Sequence, residues 1–201
     1  MRAAVELPKA YRLLNHGPTV LVSASHAGRD NIMAAAWAMA LDFAPPKVAV
    51  VLDKSTLTRE LVEASGQFAL NLPCRAQAAL TLAVGGQSGR ELPHDEDKFR
   101  SFGLPRFRGE ALGLPLLEGA VAWLECRLLR EPHNQARYDL YIGEVIGAWA
   151  DTRVFAGGHW IEDPSIDPNL RTIHYIAGGH FFATGEAFEA QPAPRVRGAS
   201  P

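Results

Sequence analysis

Signature motifs, cysteines and excess charge are all scarce in these 201 residues, and each scarcity excludes something. The two cysteines, Cys74 and Cys126, lie far apart and form no CxxC pair, so neither a zinc site nor a disulfide scaffold is indicated. That usage makes a reducing, cytoplasmic setting the expectation. With 20 basic against 22 acidic residues the formal net charge is -2, which excludes a globally basic nucleic-acid binder. No apolar run approaches a membrane span, and the opening MRAAVELPKAYRLL lacks the apolar core of a signal peptide. A Rossmann glycine fingerprint, a phosphate-binding P-loop, HExxH and GxSxG are all missing. His159, His174 and His180 lie loosely near Asp163 and Asp167 without a recognised ligand spacing, so no metal site is expected.

What is present is a turn-rich chain. Gly 18 and Pro 14 together exceed their usual combined share of roughly 12%. Residues 18–25, PTVLVSAS, read as a strand that ends in a turn at Gly28, Asp30 and Asn31. Residues 31–46 score as helix on Ala and Met content, but they are short and end in Pro45-Pro46, so they read as a second strand. Residues 47–54 are continuously apolar and predict a strand buried on both faces. Ser55 or Thr56 caps a helix with exposed Arg59 and Glu60, and Gly66 stops it. A strand over 67–73 precedes a helix ending at Gly85-Gly86, and a short helical piece lies around Asp95 to Phe102. Two alternating strands follow, joined by a turn at His133-Asn134, and 171–186 close the chain as two strands about a Gly-Gly break. Strands dominate without βαβ alternation. The fold class expected is mainly β with peripheral α, an antiparallel barrel closed or nearly so. One domain over 1–188 and a disordered Pro- and Ala-rich tail over 189–201 complete the organisation.

Three segments could carry chemistry, and each has a plain structural use as well. Asn31 through Trp37 would offer backbone groups and small alanines to the edge of a flat ligand, or merely pack closely. Asp53 to Thr58 lead from a strand into a helix N-terminus, which suits a phosphate and equally suits simple capping. Gly85-Gly86-Gln87-Ser88-Gly89-Arg90, with Asp97-Lys98-Phe99, could approach and neutralise an anion, or form a solvated loop.

Taken in order, these residues resemble the flavin reductase-like family of FMN-binding split barrels, most closely its flavoredoxin-like branch. The resemblance rests on PTVLVSA at 18–24, Asn31 through Trp37, Asp42-Phe43-Ala44-Pro45-Pro46, and Lys54-Ser55 with Thr58. It continues through Phe68 to Pro73, Ser88-Gly89, Asp97-Lys98-Phe99, Gly143-Glu144-Val145, and Leu170 to Glu186. It implies a homodimer with FMN at the interface and NAD(P)H or a redox protein as electron donor. By that likeness Asn31, Ile32, Met33, Ala34, Ala35 and Trp37 line the isoalloxazine ring, while Lys54, Ser55 and Thr58 meet the phosphate or ribityl chain. Ser88, Gly89, Lys98 and Phe99 close the site from the same or the partner subunit. Two positions depart from the family pattern. Met33 stands where a small polar residue is common, and Tyr138 stands where many reductases carry a histidine near the nicotinamide. Tyr138 can stack and donate a hydrogen bond but cannot become a cation. Alternatives are a flavin-binding electron carrier without a nicotinamide site and a split-barrel module that binds another cofactor or none. A metal-dependent hydrolase using the late histidines is a more distant one.

Overall fold

A computed structural model describes residues 17–93, 95–161 and 163–192. In chain order β1 (Val20–His26) and β2 (Arg29–Ala35) form a hairpin whose two turn residues, Ala27 and Gly28, both have positive φ, the tight-hairpin geometry that suits strand twist. The expected turn is thus shorter than the sequence suggests, and Asp30 and Asn31 belong to β2. The single strand expected over 31–46 is in fact two: β2 ends at Ala35, and β3 (Ala38–Phe43) starts afresh after Ala36-Trp37. Then follow β4 (Pro46–Val51), α1 (Leu57–Ser65), β5 (Gln67–Leu72), α2 (Ala78–Gly86) and the single turn α3 (Lys98–Ser101). The second half holds β6 (Arg106–Arg108), β7 (Pro115–Leu117), β8 (Ala122–Leu129), α4 (Pro132–Tyr138) and β9 (Leu140–Ala150). Two small hairpins close it, β10 (Phe155–Ala156) with β11 (His159–Trp160), and β12 (Ile173–Ala177) with β13 (His180–Ala183). The turn expected at His133-Asn134 is a helix, α4, with Pro132 in its first turn and Asp139 in the left-handed region at its end. Of the expected tail, residues 193–201 lie outside the described residues, as do His16 and His94.

Seven strands form one antiparallel sheet in the order β2-β1-β5-β8-β9-β4-β3. Its two edge strands are consecutive in sequence. Ala36-Trp37 alone joins them, so their facing ends lie at most about 11 Å apart. That short connection curls the sheet into a barrel that nearly closes, with no strand ladder between β2 and β3. Inside it pack Val22, Val50, Leu52, Phe68 and Tyr141 with Leu61 and Val62 of α1. Buried Val48, Ala49 and Val50 in succession bear out the expectation of a strand covered on both faces. A second cluster (Leu21, Ile32, Val84, Phe99, Leu117) fixes α2 and α3 against the outer face of β1 and β2. α1 starts with Thr56 accepting from Arg59 N and stops at Gly66, φ 70°. Arg59, expected to be exposed, is half-buried because its guanidinium reaches Asp139 and lies over the Tyr141 ring. Among the described residues no helix is long and apolar enough to cross a membrane.

Candidate functional site

The free edge of β2 runs beside the N-terminus of α1 and the loop that follows α2. Together they enclose a cleft of about 310 Å³ whose walls include Asn31, Met33, Ala34, Ser55, Thr56, Leu57 and Thr58. Facing them are Gly85, Gly86, Gln87, Ser88, Gly89, Glu91 and Lys98. Of the β2 residues, Asn31, Met33 and Ala34 line the cleft, while the Ile32 side chain is taken up in the core with Leu21, Val84 and Phe99.

Asn31 is the most constrained of these residues. It is 2% exposed, its Nδ2 donates to Thr58 Oγ1 at 2.8 Å, and its Oδ1 has no protein partner. Gly89 lies directly against it: a Cβ there would stand 2.6 Å from Asn31 Oδ1 and 3.0 Å from Leu57 Cδ2. Only glycine lets that loop close onto β2. Arg29 Nη2 holds the loop from the other side by donating to Gly89 O at 3.2 Å. Gly85, about a turn earlier, permits a similar approach, since a Cβ there would meet the Ala34 methyl at 3.2 Å.

Charge in the cleft is mixed. Lys98 is 3% exposed and donates from Nζ to Val84 O at 2.8 Å, tying α3 to the end of α2. Burial pushes its amine down to about 8, against an opposing pull from Glu91. Ser55 is held in an Asx-type turn, its N–H and Oγ–H both donating to Asp53 Oδ1. Those two bonds keep the Asp53 carboxyl below its usual range. Ser88 Oγ accepts from Arg90 N, and Arg90 itself points away to pair with Glu60 at 2.7 Å.

The walls that carry these groups are locked from behind. Arg106 bridges Asp30 (3.2 Å) and Asp97 (3.0 Å), the residues immediately before Asn31 and Lys98, and Arg108 forks onto Asp30.

A second cleft, about 340 Å³, adjoins the first across Ala34, Gly85 and Gly86. Its remaining walls are Thr19, Ala35, Ala36, Thr81, Leu82, Tyr175 and Phe181.

Of the residues expected at the site, Asn31, Met33, Ala34, Ser55, Thr58, Ser88, Gly89 and Lys98 meet in the first cleft, and Ala35 lines the second. Ile32 and Phe99 are core residues instead, the Phe99 ring lying under Arg106. Trp37, half exposed, and Lys54, exposed, line neither cleft. Tyr138 ends α4, 60% exposed and edge-on to His133, and lines neither cleft. Thr81 escapes a sequence reading because a threonine inside an Ala-rich helix has no motif. The one signal was its place four residues before Gly85, on the same helix face. Among the described residues, no group of three His, Cys, Asp or Glu could hold a metal ion.

A family model described as a flavin reductase like domain matches residues 12–163. The chain is 57% identical to an FMN-binding domain of a flavin reductases-like enzyme from Shewanella baltica OS155. That likeness covers 94% of this chain and 97% of the other, with a TM-score of 0.82. Flavoredoxin of Desulfovibrio vulgaris (Miyazaki F) is 27% identical over 94% and 97% of the two chains, with a TM-score of 0.76. Among curated sequences, YddH of Escherichia coli K12, of uncharacterised function, is 49% identical over 92% of this chain and 96% of its own. A flavin reductase of Pseudomonas putida is 30% identical over 77% and 84%.

Proposed function

The chain belongs to the flavin reductase-like family, and from that premise we propose that it is an FMN-binding oxidoreductase passing electrons from NAD(P)H or a redox partner through the flavin. The observation that carries this reading is the first cleft, where a free sheet edge, a helix N-terminus and a glycine-bearing loop converge on a buried, unpaired acceptor. When bound, FMN supplies the redox chemistry, and the protein supplies binding, orientation and electrostatics.

The residues present fit that group. Asn31 Oδ1 accepts from a ribityl hydroxyl or a ring N–H, a bond it makes with nothing in the protein. The edge strand β2 offers backbone N–H and C=O groups to the rim of a planar ring, and Ala34 leaves room for it. The α1 N-terminus, with Thr58, Ser88 and the Lys98 ammonium, holds the phosphate. No acid or base side chain is needed for electrons to move through a flavin.

A homodimer belongs to the same proposal. All of β3 beyond Ala38 is exposed, including Met39, Leu41 and Phe43, the last at 92%. An apolar edge strand left in this state invites pairing with a second copy. Two buried, free cysteines fit a reducing, cytoplasmic setting. Tyr138 favours a second reading, an electron carrier without a nicotinamide site, because it replaces the histidine the resemblance leads one to expect and stands outside both clefts.

One experiment separates the readings. The purified protein, saturated with FMN and freed of excess, is mixed with NADH or NADPH while its visible absorption is followed. Bleaching within seconds by either nucleotide is the expected result. Bleaching by dithionite alone leaves the carrier reading, and a colourless protein that gives no spectral shift with FMN refutes the flavin site.

A further inference from the structure

Arg106 of β6 lines neither cleft, yet it joins two elements that face each other across the first one. Its Nε stands 3.2 Å from Asp30 Oδ2 on β2, and its Nη1 donates at 3.0 Å to Oδ1 of Asp97, the N-cap of α3. Asp30 directly precedes Asn31, and Asp97 directly precedes Lys98. Those two neighbours bring an unpaired amide oxygen and an ammonium to the cleft. We propose that Arg106 is a positioning residue for the phosphate end of the flavin. Through Asp30 and Asp97 it sets where Lys98 stands relative to Asn31, and with that the preference for FMN over riboflavin. The inference rests on the flavin reading of the first cleft.

Apolar packing already docks α3 on β2, since Phe99 is buried with Leu21 and Ile32. That force is non-directional. Charge-assisted bonds to a planar guanidinium fix direction as well as distance. Both carboxylates are nearly enclosed, Asp30 at 2% and Asp97 at 9% exposure, so each needs its cation. Asp97 uses the bridging oxygen for capping too: Oδ1 also accepts from Arg100 N at 2.9 Å. A shift of that carboxylate therefore moves the first turn of α3, and Lys98 with it. A lysine's compact ammonium lacks the two separated donors that this bridge uses.

The bridge is itself held in place. Arg106 pairs with buried Leu117 in the β6–β7 hairpin, and its guanidinium lies 4.9 Å from the Phe99 ring centroid. The two acids differ in how far they depend on it. Asp30 keeps a cation without Arg106, because Arg108 forks onto the same carboxylate at 3.1 and 2.8 Å. Loss of Arg106 thus leaves β2 and Asn31 anchored and releases the α3 side. The contact that suffers is the phosphate at Lys98, which riboflavin lacks.

The test titrates the full chain, freed of flavin, with FMN and separately with riboflavin in a calorimeter. Arg106→Met should weaken FMN about tenfold and leave riboflavin within twofold. In a Lys98→Met background the same substitution should change FMN affinity less than twofold, because the residue it acts through is gone. Asp97→Ser is the second variant, in case Arg106→Met fails to fold. It keeps a hydroxyl at the α3 N-cap and leaves Arg106 paired with Asp30, and it should weaken FMN five- to tenfold with riboflavin again unchanged. A merely structural arginine would weaken both flavins alike. Equal losses for the two flavins, an FMN loss below twofold in either folded variant, or a full loss that persists without Lys98 overturns the inference and leaves the flavin reading standing. So does a wild-type chain that binds FMN no better than riboflavin. A wild-type chain that binds neither flavin discards both.

Discussion

Polar groups buried in the barrel wall and polar groups buried along the clefts are treated in opposite ways. Glu125 is fully buried, yet its carboxylate accepts from the backbone N–H groups of Ala111, Leu112 and Leu114 at 2.8 to 3.1 Å. Asn71 is equally buried and fully used, donating to Leu21 O and Ser23 Oγ while accepting from Leu117 N. Among the described residues, the buried side-chain atoms without a partner are Arg29 Nε, Asn31 Oδ1, Thr81 Oγ1 and His174 Nδ1. Asn31 and Thr81 line the two clefts; Arg29 grips the Gly89 loop, and His174 precedes Tyr175. The polar groups of the wall are satisfied within the folded chain, whereas each cleft keeps a buried side-chain atom that is not.

The largest effect expected from this contrast is on the complete side. Glu125→Ala leaves three backbone N–H groups of the 109–114 loop without their acceptor, and opens space where a Cβ on Gly109 would have stood 2.2 Å from the carboxylate carbon. The expected loss is about 3 kcal/mol, read as a lower urea midpoint at unchanged slope, with FMN affinity little altered. A loss below about 1 kcal/mol would mean that the loop finds water instead, and the contrast would fail on its stronger half.

Lys98 stands between the two regions, because it lines the cleft and is also bonded within the fold to Val84 O. Its amine titrates near 8 when folded and near 10.5 when unfolded. Between those values the unfolded chain holds more protons than the folded one, so deprotonation favours folding and the flavin-free protein gains stability as pH rises through this window. The gain is on the order of 3 kcal/mol. Affinity for the FMN phosphate moves the other way, falling as the ammonium is lost above pH 8. Thermal unfolding of the flavin-free protein and FMN titration, both from pH 7 to 10.5, should therefore slope oppositely, and Lys98→Met should flatten both. Parallel slopes would place Lys98 in the structural class alone.

Much of the fold was legible from local pattern. β1, β5 and α1 with its two caps follow from alternation, a hydroxyl at the N-cap and a glycine at the stop. The break between β2 and β3 was not. Ala36-Trp37 contains no glycine or proline, and the chain leaves one sheet edge there only because the barrel must close, a long-range demand. In the cleft, Asn31, Thr58, Ser88, Gly89 and Lys98 could be named because each sits at a strand entry, helix start or glycine turn. Ile32 and Phe99 were named with their neighbours, but side-chain direction sends both to the core. Thr81, Tyr175 and Phe181 depend on α2 and the last hairpin meeting over Ala34, which no local pattern announces.

The smallest effect on stability is expected where the contrast is sharpest. Replacing Asn31 alone would strand Thr58 Oγ1, which is fully buried and accepts from Asn31 Nδ2, so a single substitution mixes two causes. Asn31→Leu with Thr58→Val removes both partners and fills their space with apolar groups of similar shape. Such paired replacement is close to neutral, and here it also removes an unpaired acceptor, so unfolding free energy should change by less than about 1 kcal/mol in either direction. FMN affinity should fall at least tenfold, as the flavin's donor loses its acceptor on the β2 wall. The ratio of the two outcomes is the informative quantity. A double variant that unfolds easily and still binds FMN would make the Asn31–Thr58 pair belong to the wall, like Asn71. A stable double variant that has lost FMN would mark it as a binding pair that the fold itself can do without.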